Sequence, residues 1–257
     1  MRYLCGYAAA VLLLVLILCQ SIIMPSFFMP FFRWQYTRLE VAEHMDMDFD
    51  ELMHATTELL DYMRGRRENL AGVRATVAGE QRGPAEEGYR EFFENREEII
   101  HMEDVRVLYD LLFLARNLSF WGFLAMVCLM AIRRYRIAYW LARCTREVFV
   151  GFLGLLGLTV VLVLINFDRA FEIFHLILFN NDYWLLNPRH SLLINMLPIG
   201  FFMHIAIFIG MLMAVALGGI IAVDCVYLAK EKRRQEMGLP NVRGHNLPST
   251  FGSSSDR

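Results

Sequence analysis

Four stretches of the chain are apolar over about the length that a helix needs to cross a lipid bilayer. The segments between them are polar and carry most of the charged residues. Because roughly 20 apolar residues in a helix span the hydrocarbon core of ~30 Å, the pattern predicts four transmembrane helices. We predict them at residues 3–24, 111–132, 148–167 and 200–228.

The composition agrees with this pattern. Hydrophobic residues make up 56% of the 257 positions, which is more than an ordinary soluble domain contains. The first apolar run lacks the small residues of a signal-peptide cleavage site, so we expect it to be retained as a membrane anchor. The chain is therefore expected to be an integral membrane protein.

Basic residues between the apolar runs predict the orientation. The segment "RRYRIAYWLARCTR" lies between the second and third runs, and "KEKRR" follows the fourth. Short basic segments stay on the cytoplasmic side. We therefore predict a cytoplasmic loop at 133–147, a partly disordered cytoplasmic tail at 229–257, and both termini inside. Residues 25–110 and 168–199 are then extracytoplasmic.

The extracytoplasmic segment 25–110 is acidic, with 19 Asp and Glu against 10 Arg, and has helical patterns near both ends. "DFDELMHATTELLDYMRG" opens with helix-capping aspartates, places Leu52 and Leu59 on one side, and ends at Gly65. "REFFENREEIIHMEDVRVLYD" predicts a helix that leads into the second span, and "AGEQRGPAEEGY" predicts a loop. The expected fold is an all-α membrane protein with four transmembrane helices and a small, mainly helical cap.

Polar residues converge on the outer membrane interface. The spacing Glu-x-x-His occurs twice, as "EIIH" ending at His101 and "EIFH" ending at His175, and both lie next to a span. Arg116 lies just inside the second span and His204 just inside the fourth, where charged or polar groups are costly and often functional. The topology therefore predicts one polar layer that contains both histidine motifs.

Three functions fit this layer. Paired Glu-x-x-His motifs with a further carboxylate resemble the ligand set of di-iron bundles, with Glu98, His101, Glu172 and His175 as ligands. Alternatively, two histidines can move protons near pH 7. The outer segment has no cysteine, and the chain has no Gly-x-Ser-x-Gly elbow, so such an enzyme would use a nucleophile of its substrate. Third, the cap could serve a receptor without catalysis.

Two segments resemble a known family. "HMEDVRVLYD" before a span and "FHLILFNNDYWLLNPRHSLLINMLPIGFF" between the third and fourth spans are similar to the lipoprotein intramolecular transacylases (Lit). The resemblance covers most of the chain, and the Phe-His to Asp-x-Trp run is its most specific part. One departure is His190, where many members carry an acidic residue.

The resemblance implies an enzyme of the bacterial cytoplasmic membrane that needs no cofactor and binds no nucleic acid. Its substrates would be diacylglyceryl-modified lipoproteins in the lipid bilayer. The sn-2 acyl chain would move to the α-amine of their N-terminal cysteine, which gives the lyso form. The two catalytic histidines of the family correspond to His101 and His175.

Other residues are expected to support the reaction. Glu98, Asp104 or Glu172 could orient an imidazole, while Arg116 or the Asn181 amide could stabilise the oxyanion. Asp182 and Trp184 lie in the same motif. Which histidine acts as acid and which as base stays open, as do the roles of His190 and His204 and the oligomeric state. An aromatic pocket could be formed by Phe174, Phe179, Tyr183 and Trp184.

Overall fold

The computed structural model describes residues 1–76 and 89–239. The loop expected at 78–89 falls almost entirely outside these residues, as does the tail from 240 onward. Within the described part, nine α-helices and one short hairpin follow one another along the chain. They are α1 (Arg2–Ser26), α2 (Met29–Arg38), α3 (Val41–His44), α4 (Phe49–Met63), β1 (Arg74–Thr76), β2 (Tyr89–Glu91), α5 (Arg96–Ile132), α6 (Ile137–Ile165), α7 (Phe167–Leu178), α8 (Leu192–Met196) and α9 (Ile199–Glu236).

Four of these helices are long and apolar enough to cross a membrane, namely α1, α5, α6 and α9. Many of their large apolar side chains, such as Leu114, Leu118 and Leu162, point away from the rest of the chain. Such exposure is costly in water but favourable in lipid. The expected fold class, four transmembrane helices with a mainly helical cap, is confirmed.

Helix α1 packs against α5, α6 and α9. Its contact face carries small residues, and Ala9 and Ala10 are fully buried. At Gly6, an added Cβ would lie 2.7 Å from Cys144 Sγ on α6. Small residues allow this close approach of helix backbones, which stabilises helix pairs in lipid through van der Waals contact.

The cap is built around its own apolar core. Helix α4 begins at Asp48, whose carboxylate accepts hydrogen bonds from the backbone N–H groups of Asp50 and Glu51. The core also receives side chains from α8 and from the start of α9. The cap is thus fixed to the bundle through shared apolar contacts. Its most deeply buried side chains include Tyr36, Leu52, Phe92, Phe93 and Met196.

The structure differs from the sequence predictions in three segments. Most of the loop expected at 133–147 is helical, because α6 begins at Ile137. The loop expected at 168–199 contains α7, a helix of 12 residues that carries His175. The helix expected from Arg90 begins only at Arg96, since residues 89–91 pair with 74–76 in an antiparallel hairpin.

Candidate active site

The first turns of α5 carry the first histidine. Asn95 caps the helix, and its side-chain oxygen accepts a hydrogen bond from the backbone N–H of Glu97. His101 follows about one and a half turns later, before the apolar part of the helix begins. This cap and the continuous helix beyond it fix the position of the His101 ring relative to the membrane-spanning part.

Helix α7 carries the second histidine near its C-terminus. Asn166 caps the other end, with its side-chain oxygen accepting a hydrogen bond from the Arg169 backbone N–H. His175 is 7% exposed. Its Nδ1 lies 2.7 Å from the backbone carbonyl oxygen of Phe171, one turn earlier in the same helix. This contact holds the imidazole in one orientation.

The two imidazole rings face each other in an aromatic enclosure. Their centroids are 6.0 Å apart, and the planes are inclined by 35°. Phe179 contacts both, with centroid distances of 5.1 Å to His101 and 5.6 Å to His175. Trp184 stacks on His175 at 4.8 Å, and Phe171 lies 4.2 Å from it. The sequence predicted that both histidines lie in one layer, and the structure places their ring centroids 6.0 Å apart.

The Phe171 contact determines the tautomer of neutral His175. A carbonyl oxygen can only accept a hydrogen bond, so Nδ1 must carry the proton and donate it. In the neutral ring, Nε2 then has a free lone pair. His175 is therefore arranged to accept a proton at Nε2.

Both imidazoles are held in the neutral form. Burial and, to a smaller extent, the neighbouring His175 lower the pKa of His101 to about 4, while Asp104 opposes the change. Burial also lowers the pKa of His175, against an opposing effect of the Phe171 carbonyl. At neutral pH the pair can therefore receive a proton from a substrate.

Two buried polar atoms in this enclosure have no hydrogen-bond partner in the described part of the chain. They are Nδ1 of His101 and Nε1 of Trp184. Leaving a buried polar group unpaired costs about 1–3 kcal/mol, and such groups concentrate at functional sites. Both atoms are available to a bound molecule.

Asp104 and Asn181 form one wall of the site. Asp104 lies on α5 close enough to influence His101, and its Oδ2 accepts a hydrogen bond of 2.8 Å from the Asn181 side chain. The Asn181 oxygen accepts from the backbone N–H of Tyr183. The Asn181 amide therefore joins the loop after α7 to α5. Asp182 is exposed.

Glu98 holds a second part of that loop. It is 1% exposed, and its Oε1 accepts hydrogen bonds from the Ser191 hydroxyl and from the backbone N–H of Leu193. Sequence reasoning singled out Glu98 as a support for an imidazole but missed Ser191. Only the fold brings residues more than 90 positions apart into contact.

Arg116 and Glu172, which the sequence predicted to support the reaction, make their polar contacts with neighbouring residues and not with the paired histidines. The Arg116 guanidinium donates hydrogen bonds to the side-chain oxygen of the adjacent Asn117 and lies over the Phe113 ring. Glu172 pairs with Arg169 on an exposed face of α7. The ring centroids of Phe174 and His175 are 5.4 Å apart, and the Tyr183 side chain is 41% exposed.

The structure also shows the surroundings of His190 and His204, and it bears on the metal hypothesis. His190 is exposed, and Nδ1 of His204 lies 2.8 Å from the side-chain oxygen of Gln35. In residues 1–76 and 89–239, no three His, Cys, Asp or Glu side chains are grouped so that they could hold a metal ion. The di-iron hypothesis therefore gains no support from the geometry.

Comparisons with known proteins agree on one family. The model of the lipoprotein intramolecular transacylase Lit matches residues 7–202. No curated protein sequence matches the chain significantly. The solved structure of Lit from Bacillus cereus is 19% identical, covers 92% of this chain and 98% of its own, and gives a TM-score of 0.65. The structure of a Bacillus cereus Lit variant with a histidine-to-arginine substitution gives a TM-score of 0.64. It is 18% identical and covers 91% of this chain and 95% of its own.

Proposed function

Because the chain belongs to the lipoprotein intramolecular transacylase family and is thus a membrane acyltransferase, we propose that its two facing histidines catalyse an acyl shift within a lipoprotein. The acyl chain leaves the sn-2 oxygen of the S-diacylglyceryl group. It arrives on the α-amine of the N-terminal cysteine. The observation that carries this proposal is the pair of neutral imidazoles 6.0 Å apart in an aromatic enclosure.

The reaction needs one proton transfer and no enzyme nucleophile. The amine nitrogen attacks the ester carbonyl carbon, a C–N bond forms, and the C–O bond to the sn-2 oxygen breaks. One proton leaves the nitrogen and one reaches the oxygen. Mass and charge are unchanged, so the enzyme begins and ends with the same number of protons.

His175 is the general base in this proposal. Its Nδ1–H is engaged by the Phe171 carbonyl, which leaves Nε2 to receive the proton from the attacking amine. The lowered pKa of His175 keeps its ring neutral near pH 7. A ring that was already protonated could not take this proton.

His101 receives from His175 the proton that was taken from nitrogen and delivers it to the departing sn-2 oxygen. It faces His175 across the enclosure, and its Nδ1 has no partner in the described residues. Two adjacent imidazolium ions repel each other, so the pair carries one extra proton at a time. The proton gained from nitrogen is thus balanced by the proton given to oxygen.

Trp184 is the donor to the oxyanion of the tetrahedral intermediate. Its indole N–H is buried beside His175 and makes no hydrogen bond within the described part of the chain. A donor that is already oriented in a site of low dielectric stabilises negative charge without reorganisation. This role replaces the ones that the sequence suggested for the Asn181 amide, which donates to Asp104, and for Arg116, which lies about 22 Å further along α5 than His101.

The aromatic enclosure contributes by folding the substrate. Direct attack closes a medium-sized ring through the cysteine and glyceryl atoms, which is slow for a flexible molecule. Holding reacting groups together contributes up to ~7–11 kcal/mol in well-oriented cases. We place this site at the outer face of the bacterial cytoplasmic membrane, with both termini inside, as the basic segments indicate.

The test is mass spectrometry of a lipoprotein's N-terminal peptide from a host that lacks N-acylation. Wild-type protein should convert the S-diacylglyceryl peptide with a free amine into the N-acyl, S-monoacylglyceryl peptide at constant mass. His175→Ala and His101→Ala should each lower the rate by ~10²–10⁴-fold, the usual contribution of a general acid or base.

A matched control is His54→Ala, which makes the same change at an exposed position of the cap. It should retain the wild-type rate, and all three variants should reach the membrane in equal amounts. Wild-type activity in a folded His175→Ala or His101→Ala variant would contradict the role of that histidine. Transfer of labelled acyl chains between two lipoproteins would contradict the intramolecular route.

A further inference from the structure

A basic groove lies between the outer end of α1, the end of α4 and the middle of α5. It has a volume of about 440 Å³, and its polar lining is formed by Arg64, Arg66, Arg116 and Gln20. Apolar walls are supplied by neighbouring residues such as Phe27 and Phe113. Within residues 1–76 and 89–239, no acidic side chain lines the groove.

The groove is separate from the histidine pair. Phe113 and Arg116 follow His101 by 12 and 15 residues on the same helix. At a rise of 1.5 Å per residue, they lie about 18 and about 22 Å further along its axis. A molecule bound through Arg116 therefore occupies a different place from the one that the facing imidazoles enclose.

Arg116 makes no ion pair with a carboxylate in the described part of the chain. Its hydrogen bonds go to the neutral Asn117 side chain, although it lies about 7–8 Å inside the apolar part of α5 that begins near Leu111. A guanidinium at this depth is costly unless an anion or water reaches it. The charge of Arg116 is therefore available to a partner beyond the described residues.

The other polar groups of the groove are also incompletely paired. Arg64 and Arg66 share the single carboxylate of Asp61, at 3.9 and 3.4 Å, and Arg64 also donates to the backbone carbonyl of Phe27. The Gln20 side chain is exposed about six residues below the end of α1 and makes no hydrogen bond with a described residue. Three cations with one shared acid leave a net positive site that extends from the headgroup region into the apolar part of α5.

We propose that this groove binds the phosphodiester headgroup of an anionic membrane phospholipid. The non-bridging phosphate oxygens match the forked donors of arginine, and the Gln20 amide adds a donor at the same depth. The acyl chains then lie along the exposed apolar faces of α1 and α5, which include Val11, Leu114 and Leu118. The lipoprotein substrate offers an uncharged thioether and a basic amine, which do not require three arginines.

The experiment is native mass spectrometry of the purified full chain in detergent, titrated with phosphatidylglycerol or with phosphatidylcholine. No lipoprotein is present, so the result does not depend on the proposed acyl transfer. Wild-type protein should retain one phosphatidylglycerol in preference to phosphatidylcholine. Arg116→Gln should weaken this binding by about tenfold or more, which is the loss expected for a hydrogen bond to a charged group.

Arg33→Gln is the matched control, because it removes the same charge from an exposed position of α2 away from the groove. It should bind phosphatidylglycerol as the wild type does. Arg66→Gln is a second test variant whose side chain is 66% exposed, so its fold should be unaffected, and it should also bind more weakly.

Three outcomes would overturn the proposal. Equal retention of phosphatidylcholine would mean that the headgroup charge is not recognised. Full binding by folded Arg116→Gln and Arg66→Gln would exclude the groove. Displacement of the lipid by a modest excess of glycerol phosphate or inorganic phosphate would identify a site for soluble phosphate.

Discussion

At the scale of single residues, the proposed chemistry depends on where each imidazole nitrogen points. The Phe171 carbonyl fixes the tautomer of His175, and the indole of Trp184 stacks on the same ring. Trp184 therefore has two separable contributions, which are its π-face against His175 and its N–H group. A substitution can remove one and keep most of the other.

Trp184→Phe should lower the acyl-transfer rate by ~10²–10³-fold, as is usual for loss of one oxyanion donor. Phenylalanine keeps an aromatic face against His175 but lacks the N–H, so thermal stability should change little. The loss should appear in kcat rather than in KM, because the oxyanion exists only after attack. A Trp184→Phe enzyme with wild-type kcat would show that the indole N–H has no part in the reaction.

Acid should destabilise the protein through His101. Its pKa is about 4 in the folded chain and 6.5 when unperturbed, so between these values the unfolded chain binds a proton that the folded site does not. The free energy of unfolding therefore falls as the pH drops from about 6.5 towards about 4, and is unaffected by this group above that range. The depressed pKa of His175 acts in the same direction.

Comparison of apparent Tm at about pH 7.5 and about pH 5 measures this effect. His101→Gln should lose less Tm on acidification than the wild type, whereas His54→Gln, at an exposed position of the cap, should behave like the wild type. An equal loss of Tm in wild type and His101→Gln would show that His101 does not cause the acid destabilisation.

The sequence predicted the histidine layer but not the contacts within it. His101 and His175 could be placed because depth in a membrane follows from distance along an apolar run. The partners of Glu98 and His175 could not, since one is a serine 93 positions away and the other a backbone carbonyl. Neither leaves a signal in residue type or spacing. Their identification requires the fold.

At the scale of elements, α1 organises the bundle through its small residues. The position of Gly6 against Cys144 leaves no room for a side chain, whereas Gly151 on α6 has open space around its Cα. The same substitution at these two sites should therefore have different effects.

Gly6→Leu should destabilise the protein by about 1–3 kcal/mol or more, because a side chain inserted at a tight contact displaces the helix backbone. Gly151→Leu should leave stability nearly unchanged, since its side chain enters lipid. Apparent Tm in nanodiscs of one lipid composition measures both. Equal Tm values for the two variants would mean that α1 and α6 do not pack closely at Gly6.

Prediction of the elements succeeded where the local signals were strong. The aspartate cap, the apolar side and the terminal glycine of α4 were all recognisable in the sequence. Gly65 has the left-handed backbone that ends this helix. The helix of residues 137–147 was missed because arginines there were interpreted as loop residues. The hairpin at Arg74–Thr76 and Tyr89–Glu91 depends on pairing of distant strands that are only three residues long.

At the scale of the whole molecule, the proposed orientation is directly testable. Thr37 is exposed on the cap and Gln235 is exposed near the end of α9, at opposite ends of the bundle. In intact cells, a membrane-impermeant maleimide should label Thr37→Cys but not Gln235→Cys, and both should react after lysis. The native cysteines provide the background in the unsubstituted chain. The reverse pattern would invert the proposed topology.

The continuity of α5 has a consequence for the membrane in which the protein works. His101 and the apolar segment from Leu111 belong to one uninterrupted helix, so the ring stands about 15 Å above the start of that segment. No hinge lies between them to absorb a change. A thicker or thinner bilayer shifts the helix by tilt or immersion. Under the proposed function, bilayer thickness therefore sets how far a lipoprotein's ester must rise to meet the histidines, so the transfer rate should depend on the acyl-chain length of the surrounding lipids.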